Sequence, residues 1–184
     1  MNNSKTNVSI IQKPIIISFI GMMASGKTKI GKKVSKHFNF TFYDIDEIIE
    51  KKYKMTVTKI FKNLGEKTFR EEERFVIKNK IKSIILNNEN AIVSLGGGGF
   101  DNTDTRKFLL NSSFVIWLDC PVEILINRIG DAKNRPMLRG NISESLSKLM
   151  EKRKKNYNKA HIKFDTSIYS SKQIIIKIKE KLNV

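Results

Sequence analysis

The sequence predicts an α/β fold in which a parallel β-sheet lies between helices. Short runs of β-branched and aromatic residues alternate along the chain with longer segments whose apolar residues recur every three or four positions. Several of these runs end at glycine or aspartate, the residues that commonly close a strand or begin a helix. The five predicted strands cover residues 15–20, 39–46, 91–95, 114–119 and 164–166.

The composition is typical of one globular domain. The 184 residues are enough to bury a core, and 40% of them are hydrophobic while 29% are charged. A net charge of +17 raises the question of a nucleic-acid partner. The lysines, however, are spread along every helical segment, and no basic run is interleaved with aromatic residues. We therefore predict solvated helix faces and no nucleic-acid partner.

Three features bear on organisation and location. Residues 1–13 are mostly polar without a clear period, so we interpret them as an N-terminal tail before a single domain over residues 14–184. Residues 14–24 are too few to span a membrane, which takes about 20 apolar residues. Cys120 is the only cysteine, so no internal disulfide can form, and we expect it to be a small buried residue. We expect a cytoplasmic protein without a membrane partner.

The first strand leads into a loop typical of phosphate binding. The stretch from Gly21 to Thr28 has the pattern GxxxxGKT, and a helical pattern follows it directly. Backbone N–H groups of such a loop converge on phosphate oxygens, with the helix dipole behind them. We expect Lys27 to reach the β- and γ-phosphates and the Thr28 hydroxyl to ligate Mg²⁺. The predicted nucleotide-binding residues are Gly21, Met22, Met23, Ala24, Ser25, Gly26, Lys27, Thr28 and Lys29.

Two carboxylates, Asp44 and Asp46, stand at the end of the second strand. Carboxyl ends of parallel strands line the ligand crevice, so both side chains are expected near the triphosphate. Asp46 is assigned to accepting or orienting a substrate hydroxyl proton, and Asp44 to Mg²⁺ through water. Alternatively, one of them only caps the helix predicted to begin near Glu47.

Arg70 has two open interpretations. Thr56 is predicted to cap a short helix that Gly65 breaks, and a longer helix then begins at Glu66. Arg70 lies early on that second helix and could form surface ion pairs with Glu73 or Glu66. It could equally be held by Glu73 and offer its guanidinium to an anionic substrate.

Four glycines, residues 96–99, follow the third strand. A mere turn needs fewer, so we expect this loop to bring backbone N–H groups against a bound substrate; the alternative is a disordered hinge. Asp101 or Asn102 is predicted to cap the next helix. The fourth strand ends at Asp119, which resembles a Walker B carboxylate, but capping explains it equally well and we rank it below Asp44.

Residues 134–139 are predicted to form a mobile flap. Residues 129–140 combine weak periodicity with glycine, proline and two arginines. An arginine in this segment could close over the γ-phosphate and stabilise charge in the transition state. Ser143 is predicted to open a long helix, and Ser170 with Gln173 forms a capping box for the last one.

Taken together, these motifs resemble shikimate kinase from Ile15 to the last helix. Each is weak alone, but six occur in the family's order. They are the phosphate loop, Asp44-x-Asp46, Gly65-Glu66-x-x-Phe69-Arg70-x-x-Glu73, Leu95-Gly96-Gly97-Gly98, Arg135-Pro136-x-Leu138 and Arg153-x-x-x-Tyr157-x-x-Ala160.

The resemblance implies ATP-dependent phosphorylation of the 3-hydroxyl of shikimate, in aromatic amino acid biosynthesis. It implies a P-loop fold of the nucleoside-monophosphate-kinase type, with five parallel strands and a mobile lid at about residues 129–142, and a monomer using Mg²⁺. Its implied roles follow by residue. The residues implied in catalysis are Asp46, Lys27 and Arg135. Those implied in shikimate binding are Asp46, Arg70, Gly97, Gly98 and Arg153. ATP would also contact Arg128 and Arg135, and Mg²⁺ would be bound by Thr28 and, through water, by Asp44.

One position departs from the family pattern, and two rival functions remain. The family usually has glycine where Ala24 stands and often alanine where Ser25 stands, so we expect Ala24 to be tolerated only with a negative φ. A gluconate kinase would keep Lys27 and Thr28 but would not need two carboxylate-binding arginines placed like Arg70 and Arg153. A nucleic-acid-stimulated NTPase would account for the charge. A GTPase is disfavoured because the chain has no Asn-Lys-x-Asp motif.

Overall fold

A computed structural model describes residues 13–129, 137 and 141–182 of the chain. Within them, helices and strands alternate along most of the chain. The elements are β1 (Ile16–Ile20), α1 (Lys27–Phe38), β2 (Thr41–Asp44), α2 (Ile45–Tyr53), α3 (Val57–Leu86), β3 (Ala91–Ser94), α4 (Thr103–Ser112), β4 (Phe114–Asp119), α5 (Val122–Ile129), α6 (Ile142–Tyr157), β5 (Ile162–Asp165) and α7 (Ser171–Leu182).

The five strands form one parallel sheet in the order β2-β3-β1-β4-β5. The predicted fold class is thereby confirmed. Strand β1 is central, and its Ile17 is in register with Ile92 of β3 on one side and Phe114 of β4 on the other. Strands β3 and β4, which follow one another along the chain, therefore lie on opposite sides of β1, and a crevice opens there at the carboxyl end of the sheet.

Each face of the sheet buries its own apolar cluster, because side chains alternate along a strand. From β1, Ile17 and Phe19 pack with residues of α1 and α7, whereas Ile16 and Ile20 pack with residues of α3 and α6. All five β1 residues are buried, as expected of a strand covered on both faces. Cys120 is buried beside the second of these clusters, as predicted.

Two helix starts differ from the predictions. The helix after β2 begins at Ile45 rather than near Glu47, because the Asp44 side chain accepts a hydrogen bond from the Asp46 N–H at 3.1 Å. Helix α6 begins at Ile142 rather than Ser143, because the Asn141 side chain accepts from the Glu144 N–H at 3.2 Å. In both cases an earlier polar residue satisfies the free N–H groups of the first turn.

Other predicted helix signals are confirmed. Thr56 caps α3, and Asn102, rather than Asp101, caps α4. Ser170 and Gln173 exchange the hydrogen bonds of a capping box. No helix in the described ranges is long and apolar enough to cross a membrane.

Helix α3 is kinked at Gly65, as the sequence predicts. Gly65 has φ 80° and ψ 163°, a combination that is essentially restricted to glycine. The bend divides the helix into a short first part and a long second part, whose first turns carry Phe69 and Arg70. The direction of the second part therefore depends on this glycine.

We expect Gly65→Ala to lower the free energy of unfolding by about 1–3 kcal/mol, because alanine is strained in this backbone conformation. No atom lies within 4 Å of the added Cβ, so the loss isolates the backbone effect. Urea denaturation measures it. The matched control is Lys67→Ala at an exposed position of the same helix, expected within about 0.5 kcal/mol of the parent. Equal effects of the two changes would contradict this account.

Candidate active site

A cleft of about 790 Å³ opens at the carboxyl end of the sheet. It is bounded by the loop after β1, the starts of α2 and α3, the glycine loop after β3 and the middle of α6. Most predicted site residues line it. They are Met23, Ala24, Gly26, Lys27, Thr28, Lys29, Asp44, Asp46, Arg70, Gly97, Gly98, Arg128 and Arg153.

Four predicted residues are placed otherwise. Gly21, Met22 and Ser25 do not line the cleft but are buried at the base of the phosphate loop. Arg135 lies outside the described residues, as does most of the predicted lid. Met137, within the predicted lid, lines the cleft.

The phosphate loop is held by its own lysine. Lys27 Nζ donates to the carbonyl oxygens of Gly21 at 3.0 Å and Met22 at 2.8 Å. The loop ends where α1 begins, at Lys27, so the first N–H groups of the helix face the cleft entrance. Such an arrangement suits an anion.

Asp44 is confirmed as the cap of α2, and it also contacts Thr28. One carboxylate oxygen caps α2, and the other accepts from the Thr28 hydroxyl at 2.8 Å. A hydroxyl and a carboxylate are therefore joined beside the phosphate loop, and both offer the hard oxygen atoms that Mg²⁺ prefers. No cluster of three or more His, Cys, Asp or Glu side chains suited to a metal occurs in the part of the chain that the structure describes.

Asp46 is half-buried, and its carboxyl group has a raised pKa. Its Oδ1 is buried and has no hydrogen-bond partner among the described residues. Burial raises its pKa to about 7, with further contributions from the negative charges of Glu73 and Asp44, against the lowering effect of Lys27 and Arg70. A carboxylate with a pKa near neutrality can accept a proton from a substrate hydroxyl more readily than an ordinary one.

Arg70 forms ion pairs with Glu73 and Glu66, and it also lines the cleft, where an anionic substrate could reach its guanidinium. Its Nη1 lies 2.7 Å from Glu73 and its Nε 3.3 Å from Glu66. Phe61 and Phe69 lie beneath the guanidinium, with ring centroids 5.6 and 5.3 Å away. Glu73 is 1% exposed, so this ion pair is not a surface one. Its geometry holds Arg70 towards the cleft.

The glycine loop is folded and tightly enclosed. The Gly99 N–H donates to Gly96 O at 3.0 Å, which makes a turn within the loop. A Cβ on Gly96 would lie 2.5 Å from a Glu73 oxygen and 2.7 Å from Asp46 Oδ1. One on Gly97 would lie 2.9 Å from Arg153 Nη1. The loop is therefore a close spacer between carboxylates and guanidiniums, not a disordered hinge.

Arg153 and Tyr157, one turn apart on α6, anchor that loop. The Tyr157 hydroxyl donates to Gly97 O at 2.5 Å, and Arg153 Nε lies 3.0 Å from Asp101 Oδ2. Burial raises the Tyr157 pKa, so the hydroxyl stays a donor. Sequence reasoning included Tyr157 in a motif without giving it a role; its i, i+4 spacing from Arg153 was the available signal.

Arg128 and Asp119 occupy different surroundings. Arg128 lines the cleft, and its guanidinium lies 3.3–3.4 Å from the oxygen atoms of Thr166 and Ala24. Asp119 instead pairs with Lys163 at 2.7 Å and does not line the cleft. Its position does not favour the Walker B interpretation.

Comparison with known proteins identifies the family. The model of the shikimate kinase family matches residues 23–183. This chain belongs to the shikimate kinase family. A shikimate kinase of Bacillus cereus (strain G9842) is 34% identical over 168 residues, or 91% of this chain and 98% of the relative. One from Staphylococcus aureus (strain MW2) is 37% identical over 164 residues, covering 89% and 90%.

Solved structures of the family have the same architecture. Shikimate kinase from Acinetobacter baumannii in complex with shikimate superposes with a TM-score of 0.84 at 29% identity, covering 92% of this chain and 94% of the other. The enzyme from Aquifex aeolicus gives 0.78 at 31% identity, covering 92% and 96%. A gluconokinase from Sinorhizobium meliloti gives 0.58 at 14% identity, which shows only a shared fold.

Ala24 corrects an expectation about the phosphate loop. Its φ is +61°, in the left-handed region, whereas the sequence led us to expect a negative φ. This conformation costs an L-residue about 1–2 kcal/mol, which explains why the family pattern has glycine there. The loop here keeps the glycine-like backbone despite the Cβ.

We expect Ala24→Gly to raise the free energy of unfolding by up to about 1 kcal/mol, because relief of strain exceeds the entropy that glycine adds to the unfolded chain. Thermal and urea unfolding measure it. The control is Ala160→Gly, since Ala160 does not have a positive φ and only the entropy cost applies. Destabilisation by both substitutions would mean that Ala24 is not strained.

Proposed function

We propose that this chain transfers the γ-phosphoryl group of ATP to the 3-hydroxyl of shikimate, giving shikimate 3-phosphate and ADP. The observation that carries the proposal is that a phosphate loop, the Asp46 carboxyl group and two arginines line one cleft. The chain's family membership and its likeness to a relative described in complex with shikimate support the same substrate.

Asp46 is the residue assigned to the reacting hydroxyl. In the proposed step the 3-oxygen of shikimate forms a bond to the γ-phosphorus, and the bond between that phosphorus and the β–γ bridging oxygen breaks. The hydroxyl proton passes to Asp46. The raised pKa and the unpaired buried Oδ1 both suit a group that receives a proton within the cleft.

The phosphate loop is assigned to the triphosphate. Its N–H groups and Lys27 stabilise negative charge on the β- and γ-phosphates, and Arg128, beside Ala24 and Thr166, is assigned to the adenine. Arg135 would close over the phosphates from the lid, residues 129–142. That assignment rests on the sequence motif because Arg135 lies outside the described residues.

Two guanidiniums and the glycine loop are assigned to shikimate. Arg70 and Arg153 each offer parallel N–H donors, which match a carboxylate better than the point charge of lysine. Gly97 and Gly98 lie against these arginines, so the substrate ring would lie close to the backbone. A small anionic polyol needs such donors more than an uncharged sugar does.

Thr28 and Asp44 fit a magnesium site. Their oxygens lie 2.8 Å apart beside the phosphate loop, and Mg²⁺ typically takes one or two carboxylates together with substrate phosphates and water. Bound with ATP, the ion would neutralise charge on the β- and γ-phosphates. Asp44 would act through a water molecule, as the family resemblance implies.

We further propose a cytoplasmic monomer with one domain over residues 14–184, which acts on small molecules without a nucleic-acid or membrane partner.

A coupled assay of ADP release tests the function directly. We expect the purified chain with Mg²⁺ and ATP to release ADP on addition of shikimate, with at least about 100-fold lower kcat/KM for gluconate, since gluconate cannot reproduce the oriented contacts. A parallel reaction receives RNA or DNA and no shikimate. Turnover of gluconate, or stimulation by nucleic acid alone, would replace this proposal by one of the two rivals.

Asp46→Asn should lower kcat about 10²–10⁴-fold with little change in the KM for ATP, because the proton acceptor is lost while the phosphate loop is intact. In the parent, kcat/KM should rise with pH through about 7 as Asp46 loses its proton in the free enzyme. This limb should vanish in the variant.

The control is Asp104→Asn, which removes the same charge from an exposed position on α4. Its kcat and pH profile should match the parent. An Asp46→Asn variant with near-normal kcat would rule out the assigned role.

A further inference from the structure

Arg153 is enclosed on several sides, although it lines the cleft. It is 2% exposed, its Nε donates to Asp101 Oδ2 at 3.0 Å, and its Nη1 lies 3.8 Å from the Met22 sulfur. The Gly97 backbone borders the same Nη1. Asp101 is the carboxylate that holds an ion pair with this guanidinium within the described residues.

Asp101 itself stands on a fixed piece of backbone. Its N–H donates to Gly98 O at 3.0 Å, and its carbonyl accepts from Arg106 Nη1 at 2.8 Å. Arg106 is buried and also donates to Phe100 O at 3.1 Å. The Asp101 carboxylate therefore extends from a support that cannot easily follow a movement of Arg153.

The hydrogen bonds of the described residues do not explain why the second oxygen of Asp101 is buried. Asp101 Oδ1 is buried and lacks a hydrogen-bond partner among the described residues. An unsatisfied buried acceptor is costly, and a carboxylate that only stabilised the fold would be expected to have its oxygens satisfied. The charged hydrogen bond to Arg153 is the interaction that it does make.

We propose that Asp101 is a positioning residue for substrate binding. By holding Nε, it fixes the plane of the Arg153 guanidinium and so the direction in which the remaining N–H donors meet the substrate carboxylate. The inference rests on the proposed function, since it concerns the residue that orients one of the two arginines assigned to shikimate.

A competing effect has the opposite sign. A carboxylate beside Arg153 also repels the incoming substrate carboxylate and could compete for the guanidinium. Asp101 engages one of the five guanidinium N–H donors, however, and its side chain is 34% exposed, so water screens its charge. We therefore expect the gain from orienting the Arg153 guanidinium before binding to exceed the repulsion between the Asp101 and substrate carboxylates.

The experiment compares Asp101→Ala and Asp101→Asn with the parent. Calorimetry gives the Kd for shikimate without ATP, and steady-state assays give kcat and both KM values. We expect Asp101→Ala to raise the Kd and KM for shikimate about 10-fold, with kcat and the KM for ATP within about twofold. Asp101→Asn retains an oxygen that can accept from Nε and should show a smaller increase.

A double-mutant cycle separates positioning from a general structural role. Lysine has no Nε edge for Asp101 to orient, so adding Asp101→Ala to Arg153→Lys should change the shikimate Kd less than twofold. Asp104→Asn, three positions away, is the charge control and should leave the shikimate Kd and KM at the parental values. Thermal unfolding of each variant verifies folding.

Three results would overturn the inference. They are an unchanged or tighter shikimate Kd in Asp101→Ala, a full additional loss in the Arg153→Lys background, and an equal effect of Asp104→Asn. Failure of the parent to use shikimate would instead overturn the proposed function, and this inference with it. Shikimate turnover by the parent with an unchanged Kd in Asp101→Ala would contradict the inference alone.

Discussion

The cleft depends on how closely the glycine loop approaches charged side chains. Any Cβ on Gly96 would collide with oxygens of both Asp46 and Glu73, and one on Gly98 would collide with the Arg70 guanidinium. Because the loop has no side chains, carboxylates and guanidiniums from separate elements can share one small volume. Larger residues would push the carboxylates and guanidiniums apart. A small anion could then no longer contact a carboxylate at one end and the guanidiniums at the other.

The carboxyl groups in and around the cleft differ in whether they form an ion pair with an arginine. Glu73 is paired with Arg70, and Arg153 with Asp101, so each of these two guanidiniums has a fixed anionic neighbour. Asp46 has no such partner in the described chain and lies beside two other carboxylates. Burial raises the pKa of both Asp46 and Glu73, but at Glu73 the ion pair with Arg70 opposes the shift. The same packing that orients the arginines thus leaves one carboxyl group ready to exchange a proton.

Local sequence patterns were enough to predict the fold and much of the cleft. The phosphate loop combines a buried strand, a GxxxxGKT pattern and a helix start, and all three signals act within about twenty residues. Caps such as Thr56 are equally local. The hydrogen bond between Thr28 and Asp44 was not predicted, because the two residues come from different strand–helix units. Asp101 was predicted only as a cap, since its pairing with Arg153 spans 52 positions.

Ala24 shows a different limit of sequence reasoning. Local sterics favour a negative φ for alanine, but the loop must return from β1 to α1 in a few residues while Lys27 holds the carbonyls of Gly21 and Met22. These constraints determine the backbone and override the preference of one residue. A propensity rule fails here because the surrounding structure supplies more free energy than the roughly 1–2 kcal/mol of strain.

The excess positive charge acts at a different range from these contacts. A net charge of +17 attracts anionic small molecules such as a triphosphate and a carboxylate as readily as a polyanion. At physiological salt, exposed lysines are screened beyond about 8 Å, so they affect the rate of encounter more than the choice of ligand. Choice is made in the cleft, where Arg70 and Arg153 are largely buried and already aligned by Glu73 and Asp101. A strongly basic surface and selectivity for a small anionic substrate are therefore compatible in one chain.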